Sequence, residues 1–266
     1  MTICVAVKVP DGLVLAADSR VLSSAGGRTL ISDEAEKIQQ IGEYPIGLTS
    51  WGLRRVNDQP IESLLLEFSG SLSPLDGASI DVFQIAVQLI EFITPFYREY
   101  QSAARRYECA ISELYLFIGG YSTGNHFPDV YRIDFIDETI QSTVTPIRAF
   151  QDTTDRPAFG FRCGGETGPL ERLIRGADQQ LVRDIVDTEE EATELYGRYR
   201  YSIRYKSMPL KDAIDLSVYL ANVVTGICRF KEDPISPYPV CGGEIDVAVI
   251  TETGFRWDRR KEGSSG

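Results

Sequence analysis

Apolar and polar positions fall along this chain in blocks that predict strands first, helices next, and then both again. The opening run Ile3-Cys4-Val5-Ala6-Val7-Lys8-Val9 is nearly continuous, and Leu13-Val14-Leu15-Ala16-Ala17 repeats it after Pro10-Asp11-Gly12. Proline presets φ and glycine tolerates positive φ, so the break is a turn and the pair a hairpin. Strands apolar on both faces belong to a sheet covered on both sides. A polar loop is expected over Ser23 to Arg28, then short strands over Lys37 to Ile41 and Pro45 to Ser50. Pro60 suits a first helical position, and Ile61, Leu64, Leu65 and Phe68 share one face behind it. A second helix from Ser79 carries Ile80, Phe83, Val87 and Ile90 and continues to about Tyr107, with a kink or interruption expected at Pro95. Leu114 to Ile118 predicts another strand. Tyr131, Ile133 and Phe135 alternate with Arg132 and Asp134 as in a half-buried one. Helices are expected from Pro169 through Leu181, over Glu189 to Tyr199 unless that stretch is a solvated excursion, and from Pro209 to Val224. Ile245 to Ile250 closes the chain as a strand.

This order is not the strict β-α-β alternation of a doubly wound sheet. It predicts a layered α+β fold, with sheets stacked face to face and helices outside each. No repeat or long linker divides the chain. One domain over residues 1–258 is expected, followed by a flexible tail over 259–266.

Composition narrows the partners. Among 266 residues, 43% are hydrophobic and 25% charged, which excludes a disordered, collagen-like or coiled-coil chain. Lys plus Arg is 27 against 39 for Asp plus Glu, a net charge of −12, which argues against nucleic-acid binding because phosphates need a basic face. No run of about 18 apolar residues predicts a membrane span. The start has no basic leader before an apolar block, and the five cysteines (Cys4, Cys109, Cys163, Cys228, Cys241) are scattered without a Cys-x-x-Cys. Both features favour a cytoplasmic protein with reduced thiols and no zinc site.

Chemistry is limited by the single histidine. His126 lies in the turn-like Ser122-Thr123-Gly124-Asn125-His126-Phe127-Pro128 and is expected at the surface. A hydrolase built on this chain therefore draws its base from carboxylates, lysine or an α-amino group. Thr2 becomes the N-terminal residue once Met1 is removed. The tight hairpin returns Asp18 beside Thr2, and Lys37 opens a strand that could line the same edge. A threonine hydroxyl needs a base. A free α-amine, with a pKa of about 7.7–8, can take its proton. A nearby Lys37 ammonium would favour the neutral amine, and Asp18 would orient that lysine. The plainer alternative is that Asp18–Arg20 and Asp18–Lys37 are ion pairs at a sheet end.

The opening from Thr2 through Asp11-Gly12 to Ala17-Asp18-Ser19-Arg20 resembles the first hairpin of proteasome β-type subunits, which are N-terminal-nucleophile hydrolases. Glu36-Lys37-Ile38 resembles that family's lysine segment, and Thr49-Ser50-Trp51-Gly52 its oxyanion segment. The resemblance implies a four-layer αββα sandwich and a threonine-type peptidase. Its site would hold Thr2 as nucleophile, Asp18 and Lys37 as tuning groups and the Gly52 N–H as oxyanion donor. Ser19, Arg20, Cys163 and Cys241 would be supporting residues. It implies no metal or organic cofactor, a peptide or unfolded-protein substrate and a homo-oligomeric ring. It leaves room for an ATPase unfoldase without indicating one. Two departures stand out. Arg162-Cys163-Gly164-Gly165 replaces a hydroxyl-bearing loop, and Tyr238 and Cys241 stand where the family has Asp and Ser, with Asp233 as a nearby substitute. They keep open a catalytically weak structural subunit and a small-molecule amidase of the wider class.

Three further features have bland readings. Gly164-Gly165-Glu166-Thr167-Gly168 is a turn with a helix cap rather than a phosphate cradle. Asp187 to Glu191 is an acidic helix start. Arg54 and Arg55 are exposed flanking charges, or else a preference for acidic substrates.

Overall fold

A computed structural model describes residues 2–25, 28–56, 59–72, 79–136, 143–146, 158–232 and 238–262. Its strands are β1 (Ile3–Val9), β2 (Gly12–Asp18), β3 (Val21–Ala25), β4 (Arg28–Ser32), β5 (Ile38–Gln40), β6 (Ile46–Gly52), β7 (Arg55–Val56), β8 (Gln59–Pro60), β9 (Leu114–Gly120), β10 (Asp129–Phe135), β11 (Thr143–Pro146), β12 (Gly160–Gly165), β13 (Ile245–Thr251) and β14 (Gly254–Arg259). The helices are α1 (Ile61–Ser71), α2 (Val82–Arg106), α3 (Gly168–Leu170), α4 (Gln179–Ile185), α5 (Glu189–Tyr199) and α6 (Leu210–Phe230). A π-helical turn over Glu171–Arg175 and a 3-10 turn over Tyr205–Ser207 complete the regular elements.

Two five-stranded sheets carry the fold, in the orders β12-β1-β2-β13-β14 and β11-β10-β9-β6-β5. Every pairing in both is antiparallel. The expected hairpin is the centre of the first sheet: Val9 pairs with Gly12 across Pro10 and Asp11, and Cys4 with Ala17. All seven residues of each strand are buried. Side chains alternate faces along a strand, and here the two faces feed different cores. Ile3, Val5, Val7 and Val9 join Leu220 and Val224 of α6, while Cys4 and Ala6 join Ile38, Trp51 and Phe117 of the second sheet. On its other face the second sheet meets α1 and α2 through Leu116, Ile118, Leu64, Phe68 and Leu89. By length and mean hydropathy (1.3 in its richest window) α6 would pass as a bilayer span. Its Ala213, Leu220, Ala221 and Val224 are instead fully buried in the protein.

Several expectations change. The loop expected from Ser23 to Arg28 lies within a two-stranded ribbon, β3 with β4, paired from Val21–Ser32 to Ala25–Arg28; its tip, residues 26 and 27, lies outside the described residues. Pro95 does not interrupt α2, which runs 25 residues with Ile85, Leu89, Ile93 and Tyr97 on its buried side. The helix expected from Pro169 through Leu181 is broken, because Gly176 at φ 80° ends the π-helical turn and Asp178 caps a new helix. Glu189 to Tyr199 is a helix, opened by a capping box between Thr188 and Glu191. The boundary expected at residue 258 falls inside the structure: Arg259 ends β14, and Lys261 Nζ reaches Asp246 at 3.0 Å and the Ala35 carbonyl at 2.7 Å.

Candidate active site

The hairpin register determines the site. With Cys4 opposite Ala17, the residue before β1 comes level with the end of β2, and the Ile3 N–H donates to Asp18 Oδ1 at 2.9 Å. Thr2 Oγ1 donates to the same oxygen. Lys37, just ahead of β5 in the second sheet, is brought in where the two sheets face each other. Its ammonium donates to Thr2 Oγ1, to Asp18 Oδ1 at 2.7 Å and to the Arg20 carbonyl at 2.7 Å. All three ammonium protons are thus used. Thr2, Asp18 and Lys37 are 4%, 1% and 2% exposed. Burial pushes the Lys37 ammonium below its usual range, and the Asp18 carboxylate pulls it back up.

The surrounding backbone fixes these groups. Gly242 N–H donates to Asp18 Oδ2 at 2.9 Å, and the Gly242 carbonyl accepts from Arg20 N–H at 3.0 Å. Gly165, at φ 90°, lies against the Thr2 carbonyl, where a Cβ would overlap it; the next N–H, of Glu166, donates to that carbonyl at 2.8 Å. The glycine-rich turn therefore grips Thr2 from the far side of β1. Ser50 N–H donates to the Lys37 carbonyl at 3.2 Å, tying β6 to the lysine. Gly52 ends β6 at φ 91° with Leu53 N–H bonded to the Glu113 carbonyl at 2.7 Å.

Supporting residues fare unevenly. Ser19 is fully buried and donates to the Glu244 carbonyl at 3.0 Å. The Arg20 side chain pairs not with Asp18 but with Asp33, through two bonds of 2.7 Å, which holds the Asp33 carboxyl below the usual range. Cys163 stands opposite Val5, so it faces the α6 side of the sheet, away from Thr2; burial raises its thiol to about 12. Cys241 also lies in the α6 core, and its neighbour's N–H, not its sulfur, reaches Asp18. Tyr238 is 42% exposed, and Asp233 lies outside the described residues. Arg54 is not an exposed flanking charge: it pairs with Glu62, and its Nε and Nη1 are buried without a partner, whereas Arg55 is exposed. His126 is exposed, as expected, and lies 3.6 Å from Glu252.

Sequence reasoning missed the backbone supports, above all the Gly242 N–H and the Arg20 carbonyl. Only Cys241-Gly242-Gly243 signalled one of them, since consecutive glycines mark close backbone approach. Among the described residues no cluster of His, Cys, Asp and Glu could hold a metal ion.

Solved structures that this chain resembles include three Anbu proteins. The fold is similar to Anbu. An Anbu mutant from Hyphomicrobium sp. strain MC1 is 19% identical, with 98% of this chain and 86% of that chain covered and a TM-score of 0.55. Anbu from Yersinia bercovieri, described as an ancestral beta-subunit, is 14% identical over 96% and 86%, with a TM-score of 0.54. Anbu from Pseudomonas aeruginosa, solved as a helical assembly, is 16% identical over 99% and 88%, with a TM-score of 0.56. No protein-family model and no curated protein matches the chain. The Anbu likeness corrects the expected resemblance to proteasome β-type subunits, to which Anbu is related but from which it is distinct. At these identities the likeness shows the fold alone.

Proposed function

We propose that this protein is a threonine-type peptidase whose nucleophile is Thr2 after removal of Met1. The observation that carries the reading is the shared hydrogen bonding of the Thr2 hydroxyl, the Lys37 ammonium and the Asp18 carboxylate in a buried corner. Thr2 Oγ attacks the carbonyl carbon of a peptide while the freed Thr2 amine takes the hydroxyl proton. The Lys37 charge keeps that amine neutral near working pH. Asp18 holds Lys37, and the Gly52 N–H stabilises the oxyanion. The tetrahedral adduct collapses as the amine returns the proton to the leaving nitrogen, leaving an ester on Thr2. Water, deprotonated by the same amine, then releases the acid and restores the hydroxyl.

The three buried clusters support a four-layer αββα stacking within one domain. The helical assembly of the Pseudomonas aeruginosa Anbu supports a homo-oligomer, closed as a ring or extended as a helix. A second reading, a structural subunit with weak chemistry, is favoured by Cys163 and Cys241, whose thiols face the α6 core rather than Thr2.

Intact mass of the purified protein, followed by turnover of fluorogenic peptides, separates these readings. Loss of Met1, peptide cleavage, and at least a thousand-fold drop in Thr2→Ala (on the order of what removing a covalent nucleophile costs) are expected. Retained Met1, or equal turnover in Thr2→Ala, would overturn the peptidase. Labelling of Thr2 by a threonine-directed electrophile without peptide turnover would move the assignment to a small-molecule amidase.

A further inference from the structure

Asn222, Gly226 and Arg229 recur at steps of four and three along α6 and so share one side of the helix. Together with Arg20 and Gly242 they line a surface cavity of about 510 Å³. Its cations outnumber their partners. The Arg229 side chain is exposed, lies over the neighbouring Phe230 ring, and has no hydrogen bond or ion pair among the described residues. The Asn222 amide is likewise exposed and unbonded there. Arg20 gives Nε and Nη2 to Asp33 and keeps Nη1. Thr225 Oγ1, also on the wall, is turned back to the Asn222 carbonyl at 3.2 Å. No Asp or Glu is among the described residues of this lining. In a chain of net charge −12 that is a local reversal of sign, and a concave one.

We propose that this cavity binds a phosphate group, free or as the ester of a small molecule, and that the bound phosphate steadies the supports of Lys37 and Asp18. A phosphoryl group carries about −1.5 to −2 charges on three acceptor oxygens. The guanidinium fork of Arg229, Arg20 Nη1 and the Asn222 amide supply donors for them, and a planar guanidinium matches phosphate geometry in pairs of bonds. The volume lies in the range of small-molecule sites, so an ester has room beside the phosphate, against Pro239 and Cys241. Two residues of this wall are also supports of the catalytic corner. The Arg20 carbonyl accepts from Lys37 Nζ at 2.7 Å, and the Arg20 N–H donates to the Gly242 carbonyl at 3.0 Å. Gly242 N–H in turn donates to Asp18 Oδ2 at 2.9 Å. An anion seated on the Arg20 side chain therefore restrains the peptide groups that hold Lys37 and Asp18.

The full chain is titrated calorimetrically with inorganic phosphate and with phenyl phosphate, at an ionic strength held constant by sodium chloride so that screening alone gives no signal. Saturable binding at one site is expected. Arg229→Gln is expected to weaken it about tenfold or more, the scale of a hydrogen bond to a charged group. Gly226→Glu gives a second variant. A Cβ at Gly226 meets nothing within 4 Å, so the fold has room for the side chain, and its carboxylate enters the cavity and removes binding. Saturating phosphate is expected to slow solvent exchange of the Gly242 amide about threefold or more in the parent and to leave it unchanged in Gly226→Glu. Tighter binding of phenyl phosphate assigns the site to an ester, and equal binding assigns it to the free ion; both sustain the site. No saturable binding, or parent-like affinity in both variants, would overturn it, and so would binding that leaves Gly242 exchange unchanged. None of these readouts uses peptide turnover, so the site and the peptidase reading stand or fall separately.

Discussion

At Thr2 the hydroxyl accepts from an ammonium and donates to a carboxylate, and these two partners differ in how much fold they hold. Lys37 is fully donated and almost wholly buried, so deleting it leaves Asp18 as an uncompensated buried charge. Lys37→Ala is expected to lose about 3–5 kcal/mol of stability in urea unfolding. Thr2→Ala removes one hydroxyl and is expected to lose about 0.5–1.5 kcal/mol. An equal loss in the two variants would mean that the ion pair does not hold this corner together. Inactivity of Lys37→Ala is therefore ambiguous, while inactivity of Thr2→Ala in a folded protein reports the chemistry. Cys4 gives a pH prediction. Its thiol accepts from Thr49, donates to the Ser50 carbonyl, and is pushed by burial up to about 11 from 9.0. Between those values the folded chain keeps a proton that the unfolded chain gives up. Stability from the neutral thiol is thus complete below about pH 9 and is lost as pH rises through about 11. The parent is expected to lose roughly 2–3 kcal/mol more than Cys4→Ala across that window. Parallel stability curves for the two would refute it.

Among the elements, α2 and the segment after β12 show what a pattern of apolar positions can and cannot say. The burial of every fourth residue, Ile85, Leu89, Ile93 and Tyr97, against the second sheet outweighs the hydrogen bond that Pro95 forfeits, so the helix continues. Pro95 lies on the exposed side of the helix. Pro95→Ala is expected to raise stability by about 1–3 kcal/mol, read as a shifted denaturant midpoint; a lower midpoint would show that the ring is needed where it stands. At Gly176 the outcome is opposite. Leu170 and Ala177 are buried but Leu181 is 43% exposed, so one apolar face never existed across the glycine. The pattern there counted apolar residues without knowing which of them the α6 layer would cover.

On the scale of the whole molecule, large apolar side chains stand exposed on α4, α5 and α6. Ile185, Tyr199, Tyr219, Ile227 and Phe230 are 58%, 58%, 53%, 48% and 79% exposed. Apolar exposure of this kind is what self-association covers. Subunits carrying a net charge of −12 also repel one another, so self-association is expected to strengthen as salt screens that charge. Sedimentation velocity at low and high ionic strength is expected to show a particle several times the single-chain mass, enriched at high salt. A single chain under both conditions would remove the homo-oligomer from the proposal.

The hairpin of β1 and β2, the faces of α1 and α6 and the approach of Asp18 to Thr2 were legible in the sequence, because each depends on residues within about twenty positions. A turn and an alternation are local physical facts. The arrival of Lys37 also followed from strand order, once two facing sheets were assumed. What the sequence could not decide was everything that depends on which distant backbone comes alongside. Gly242 donating to Asp18 is a contact over more than two hundred residues, made by a peptide group that every residue carries. Cys163 and Cys241 looked like stand-ins for catalytic hydroxyls, yet strand pairing turned the first toward α6 and the α6 core took up the second. Residue type is written in the chain, but the face of a sheet on which a side chain ends is set by register and by the layer that closes over it.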